Sequence, residues 1–160
     1  METINERDMA FSRIESSVRM QPVHGNPQGT VHGGELIKFM EDTAGIAAMK
    51  HAGGNVVAAR VDELVFHKPI NIGSIVTFIA QVAYAGSTSM QVILTVVVHD
   101  LNNFEKSETA LTAFFTMVHL DNNGRPKKIP TLKFNTDIES ELYALGEKKY
   151  NENKNKPNTY

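Results

Sequence analysis

The chain contains no cysteine among its 160 residues, which excludes disulfides and thiolate-based metal sites. A single domain of this length buries a full core without such staples. Basic charge is not in excess either. Sixteen Lys and Arg stand against eighteen Asp and Glu, so no broad positive field exists to attract nucleic acid. No window reaches the ~18 apolar residues of a membrane span. The longest apolar stretch, MQVILTVVV at 90–98, is interrupted by Gln91 and Thr95. The opening residues, METINERDMAFSRIESS, carry charges where a secretion signal needs an apolar run. His24, His51, His67, His99 and His119 are scattered without ligand-like spacing, so no bound metal is expected. No internal repeat is present. These absences point to a soluble, cytoplasmic protein with no nucleic-acid partner and no membrane attachment.

What is present is an alternation of patterns. Residues 11–20 partly alternate and read as a first strand, and QPVHGNPQG at 21–29 reads as a loop. From Gly33 to about His51, Leu36, Met40, Thr43, Ala44 and Ala47 recur at helical spacing, and the glycines of AGG at 52–54 end the run. Four strand-like runs follow at 55–66, 74–84, 90–100 and 108–120, joined by short turn-rich links that favour antiparallel neighbours. Residues 121–130 form a polar exit loop. Residues 136–150 read as a short amphipathic helix capped by Thr136 or Asp137, with Ile138, Leu142 and Leu145 on its inner face, and the polar tail NENKNKPNTY is expected to fray. The fold class is α+β, with residues 1–135 as the main domain and 136–160 as helix and tail.

The central helix is apolar over more than half its circumference, through Leu36, Ile37, Phe39, Met40, Ala44, Ile46, Ala47 and Ala48. A helix of that kind is wrapped on several sides. It nevertheless carries two adjacent carboxylates. At roughly 100° per residue Asp42 falls on the polar side, where it is either solvated or paired with Lys38, and Glu41 falls at a half-buried border. The helix opens at Gly33 and Gly34 after His32. Its unpaired amides and dipole can hold a developing oxyanion, so these three residues are candidates for substrate contact. His32 is either a loop histidine that holds the turn or a base. Asn26 is either a turn residue before Pro27 or a polar group of the site. Glu41 lies about 11 Å along the helix from Gly34, far for one small reaction centre, a distance that either a long substrate lying along the helix or a second subunit supplying one part would resolve.

The pattern N-x-x-G-x-V-H-G-G at 26–34, with an acid nine residues after the His, resembles the hotdog-fold acyl-CoA thioesterases, in the branch of the brain-type cytosolic acyl-CoA hydrolases. The similarity continues through RVDELVFHKPINIG at 60–73, AGSTSMQV at 85–92 and FFTMVHLDNNGRPKKIP at 114–130, covering roughly residues 8–130. The resemblance implies a long central helix wrapped by a five-stranded antiparallel sheet, with the short C-terminal helix added. It implies that Asn26 polarises the thioester carbonyl, while Glu41 activates water or attacks the carbon. Asp42 is the alternative acid, and Glu41 stands where the family carries Asp. Asn26 and the acid would come from opposite subunits of a homodimer, commonly part of a trimer of dimers. Ala59, Arg60, Val61, Gly86, Ser87, Thr88 and Ser89 would lie near the nucleotide of coenzyme A. Arg60, Lys68, Lys127 and Lys128 are either surface charges or partners of its phosphates. No cofactor is implied beyond coenzyme A as part of substrate and product. Two other readings stay open: a hotdog enoyl-thioester hydratase or dehydratase using His32 with Glu41, and a non-catalytic acyl-CoA sensor.

Overall fold

The computed structural model describes residues 3–156. Its centre is α1, Gly33–Ala52, which begins under the His32 side chain and ends where Gly53 takes a left-handed conformation at φ 75°. A residue with a Cβ is disfavoured in that conformation, so the glycine stops the helix. The helix buries Leu36, Met40, Thr43, Ala44, Ala47, Ala48, His51 and Ala52. Four of these are alanines in the second half, which lets the sheet approach closely.

Five strands form one antiparallel sheet: β2 (Ile14–Arg19), β3 (Val56–Phe66), β4 (Ile75–Ala85), β5 (Ser89–His99) and β6 (Ser107–His119). Alternation decides which side chains enter the core. Phe78, Ala80 and Val82 on β4, Met90, Val92 and Leu94 on β5, and Ala113, Phe115 and Met117 on β6 are buried with the helix. Register aligns them across the sheet: Val92 lies between Val82 and Phe115, and Leu94 between Ala80 and Ala113. The sheet and central helix are those the hotdog resemblance implies. A small parallel pair, β1 (Glu6–Asp8) and β7 (Thr131–Lys133), was not expected. Three-residue strands leave too short a trace for alternation to mark.

Four expectations need correction. The strand order is β2-β4-β5-β6-β3, so β3 does not pair with β4, its neighbour in sequence. It pairs with β6 and forms the far edge. The link at 67–74 spans at most ~26 Å when extended, which exceeds three strand spacings of about 14 Å. On the way it buries Ile70, whose carbonyl accepts from the Val31 amide at 2.7 Å.

The second correction concerns α2, Asp137–Lys154, which is capped by Thr136 as expected but faces the sheet through a different stripe. Ile138 and Leu145 are exposed, whereas Gly146 and Lys149 are buried and Leu142 and Tyr143 pack on the core. Gly146 sets this face. A Cβ there would come within 2.8 Å of the Ala83 Cβ, so the helix makes its closest approach at this residue. The third correction is that the helix continues to Lys154, into the tail expected to fray. Asn153 donates to Asp62 at 2.9 Å, and Lys149 bonds to both Glu63 and Glu152, which ties the last turns to β3. Residues 157–160 lie outside the described part. Fourth, the wrapping of α1 is incomplete: Ile46 and Met49 remain half exposed on the flank beside β3.

Candidate active site

The loop before α1 is held by its own side chains. Asn26 accepts through Oδ1 from the amides of Gln28 and Thr30, and its Nδ2 donates to Thr30 Oγ1 at 2.9 Å. The Asn26 amide also bonds to the Thr30 carbonyl. The turn-residue reading of Asn26 is therefore correct as local structure. A primary amide has two N–H donors, and the turn engages one, leaving the other for a ligand. Thr30, which fixes the Asn26 side chain, was missed in the sequence because a threonine in a glycine-rich turn carries no distinctive signal.

His32 is the helix cap. Its Nδ1 accepts from the Gly34 amide at 3.0 Å. The Gly34 N–H is thereby satisfied inside the chain, so of the glycine pair only Gly33 keeps an amide without a partner among the described residues. The reason for glycine at 34 is steric as well: a Cβ would stand 3.2 Å from His32 Nδ1 and crowd the cap. Gly33 borders a cavity of about 370 Å³ walled by Val31, Leu36, Phe66, Pro69 and Ile70. The Phe66 ring lies 3.4 Å from where a Cβ on Gly33 would be, so the end of β3 closes over the helix start. The wall is mainly apolar and is completed by Thr30, His67 and Lys68, with the unpartnered Gly33 amide and the positive end of a helix dipole at its edge.

Glu41 and Asp42 lie elsewhere. Both are exposed in the single chain, which corrects the half-buried placement of Glu41. They line a second, open cavity of about 560 Å³ between the flank of α1 and the start of β3. No lining residue is common to the two cavities. No ion pair joins Asp42 to Lys38 among the described residues, and neither carboxylate has a side-chain hydrogen bond there. The chain thus separates the amide-rich helix start from the acid. Val57 in that lining is exposed on the edge strand, as are Val61 and Val65 further along it, and Ile46 and Met49 are exposed on the helix. An edge strand of eleven residues with this character calls for cover.

The residues expected near a nucleotide divide. Ala59, Arg60 and Ser89 line a groove of about 340 Å³ on the outer face of the sheet, together with Gln91, Thr116 and Tyr150. Arg60 is held by Asp62, Nε to Oδ1 at 2.9 Å. Val61 is half exposed and stands opposite buried Phe115, which places it on the helix side of the sheet, away from that groove. Gly86 packs beneath Tyr150, which leaves no room for a Cβ, and Ser87 and Thr88 give their carbonyls to the amides of Ile129 and His119. Lys68 is paired with Glu108. Lys127 and Lys128 belong to a different hollow of about 810 Å³ at the C-terminal end of α1, with Arg7 and His119. The contribution of α2 to the first groove was not legible, because its inner stripe is polar.

Two of the perturbed titratable groups are buried away from these cavities. Burial pushes the His51 imidazole below its ordinary pKa of 6.5, partly offset by its bond to the Pro130 carbonyl. The hydrogen bond to Glu63 holds the Lys149 ammonium above its usual value. Both serve packing.

The thioesterase superfamily profile matches residues 28–102. The uncharacterized acyl-CoA thioester hydrolase YkhA of Bacillus subtilis is 33% identical over 156 residues, which cover 98% of this chain and 90% of that protein. The acyl-CoA hydrolase of Staphylococcus aureus, solved with butyryl coenzyme A, coenzyme A and coenzyme A disulfide, is 34% identical, with a TM-score of 0.88 over 93% of this chain and 90% of that one. Forms of that hydrolase have also been solved with alanine replacing an asparagine, an aspartate 15 positions beyond it, and a threonine 32 positions beyond it. A hexameric acyl-CoA thioesterase, solved in its apo form, is 28% identical with a TM-score of 0.88 over 94% of this chain and 96% of that one.

Proposed function

The chain belongs to the family of hotdog-fold acyl-CoA thioesterases, and from that premise we propose that it hydrolyses an acyl-CoA to the free carboxylic acid and coenzyme A. The observation that carries the site assignment is the unpartnered Gly33 amide at the wall of a mainly apolar cavity, one of whose lining residues, Thr30, holds an asparagine with a second N–H unengaged among the described residues. The thioester carbonyl oxygen is held by these two donors. A preorganised donor of this kind contributes roughly 3–4 kcal/mol to the transition state. Glu41 of a second copy takes the proton of the attacking water. The tetrahedral oxyanion then collapses, the C–S bond breaks, and the same carboxyl returns the proton to the leaving sulfur. Direct attack by Glu41, giving a mixed anhydride that water then opens, uses the same placement.

The spacing in the Staphylococcus aureus hydrolase supports Glu41 over Asp42. Counting 15 positions from Asn26 reaches Glu41, and counting 32 reaches Ala58. The exposed flank of α1 and the uncovered β3 edge support a homodimer in which one copy's helix start meets the other's acid. Three such dimers would make a hexamer of the kind found in the apo relative. The groove of Ala59, Arg60 and Ser89 is assigned to the nucleotide of coenzyme A, and the cytoplasm, where coenzyme A thioesters are made and used, to the protein. His32 spends Nδ1 on the Gly34 amide, which counts against a hydratase that uses this histidine as its base.

The test is a panel of saturated and enoyl acyl-CoAs, short to long and aromatic, followed with a thiol reagent and at the enoyl-thioester absorbance. Steady thiol release from saturated substrates supports hydrolysis. Binding without thiol release returns the sensor reading, and a change at the enoyl band without thiol returns the hydratase.

A further inference from the structure

Glu41 and Ala58 line the same cavity, one from the helix and one from the edge strand. Ala58 stands opposite Met117 in the sheet register, and Met117 is buried against the helix. Paired residues on adjacent strands project to the same face, so the Ala58 Cβ faces α1. Immediately beyond Ala58 the register shifts, and this bulge turns the strand next to the cavity. The remaining walls are Gly45, Ile46, Met49, Val56, Val57 and Met117, so among the described residues the two adjacent acids are the only polar side chains there. Among the described residues, nothing on the strand side donates a hydrogen bond to either one.

At the positions corresponding by spacing, the Staphylococcus aureus hydrolase carries an aspartate and a threonine. Relative to that pair, this chain gains a methylene on the helix and loses a methyl and a hydroxyl on the strand. Both changes fall in one cavity and keep its filled volume close to constant. What disappears is the donor that could hold a short acid from the side. An aspartate at position 41 would place its carboxylate about 1.3 Å further back, judged from standard bond lengths.

We infer that Glu41 and Ala58 are a matched pair, in which the absence of a side chain beyond Cβ at 58 leaves the room that the longer acid uses to reach the reacting carbon. Ala58 is thus a positioning residue for Glu41. The inference rests on Glu41 being the acid of the thioesterase reaction. It makes this chain a variant of the site in which reach replaces a lateral hydrogen bond.

The experiment is a double-mutant cycle in the assembled enzyme: wild type, Glu41→Asp, Ala58→Thr and the double variant, with Glu41→Gln as reference. The parameters kcat and KM are measured on one good acyl-CoA, and assembly is checked by light scattering. Because a displacement of about 1 Å can cost ~100-fold, Glu41→Asp is expected to lose roughly 30- to 100-fold in kcat with KM nearly unchanged. Ala58→Thr alone should lose several-fold, by crowding the longer acid. The double variant should recover about tenfold or more over Glu41→Asp, a non-additivity that two independent structural defects do not produce. If Ala58→Thr has the same effect in both backgrounds while Glu41→Gln is inactive, the pairing is overturned and the acid assignment stands. If Glu41→Gln keeps wild-type kcat, the acid assignment falls and the pairing with it.

Discussion

The start of α1 and its flank are finished to different degrees. At the start, Thr30 holds the Asn26 side chain in place, His32 caps Gly34, and the 67–74 link closes beneath through Ile70. One backbone donor, that of Gly33, is left over in an apolar pocket. On the flank, two carboxylates with no hydrogen-bond partner among the described residues face an open cavity rimmed by exposed Val57, Ile46 and Met49. The same chain spends hydrogen bonds to complete one half of a site and leaves the other half open. A glycine in the middle of the open flank repeats the point: Gly45 would carry a Cβ with nothing within 4 Å, yet glycine weakens a helix interior by roughly 0.5–1 kcal/mol relative to alanine. Both features make sense when a second copy packs there and brings its own helix start to this chain's acid.

The contrast is broken most severely by removing the acid. Glu41→Gln is expected to lower kcat by ~10²–10⁴-fold, the usual contribution of a general base, while Asp42→Asn stays within a few-fold, as measured by thiol release. The reverse ranking would move the acid by one position. Next in size is the edge strand. Val61→Asp places a charge on the exposed β3 rim, and light scattering should show smaller species that have lost most of their turnover. A smaller effect belongs to the finished half. Gly34→Ala crowds His32 and should cost about 1 kcal/mol of stability, comparable to losing a helix cap, read by chemical denaturation. The smallest lies at the far end of the helix, where His51 is buried with its pKa lowered. The unfolded chain then binds more protons than the folded one below pH 6.5, so stability falls as pH drops through that value. His51→Gln should flatten this part of the stability-against-pH curve.

Much of this organisation could be read from residue order alone, for identifiable reasons. The bounds of α1 were legible because apolar residues recur at helical spacing between a histidine-glycine start and a glycine stop. The strands β4 to β6 were legible because alternation is strong where one face packs on the helix. The order of strands was not. Short links favour adjacent partners, but the 67–74 link is long enough, and bonded firmly enough to the loop at Thr30 and Val31, to carry the chain across the sheet. The inner face of α2 was hidden because it is built from Gly146 and a buried Lys149, whose partner Glu63 lies 86 positions away. The same applies to the site. Asn26, Gly33 and Glu41 stand out by type and spacing. That His32 occupies the Gly34 amide, and that Ala58 lines the same cavity as Glu41, are results of folding and leave no mark in a linear motif.

The central claim is that a working site takes its carbonyl grip from one copy and its acid from another, and subunit mixing measures this directly. Asn26→Ala and Glu41→Gln, each expected to be inactive alone, are unfolded together, refolded at equal amounts and assayed for thiol release. Random pairing of subunits gives half mixed dimers, each with one intact and one doubly altered site, so recovery of about a quarter of wild-type activity is predicted. Activity that remains at the level of the separate variants at every mixing ratio, with mixed dimers demonstrated by mass, would contradict the shared site.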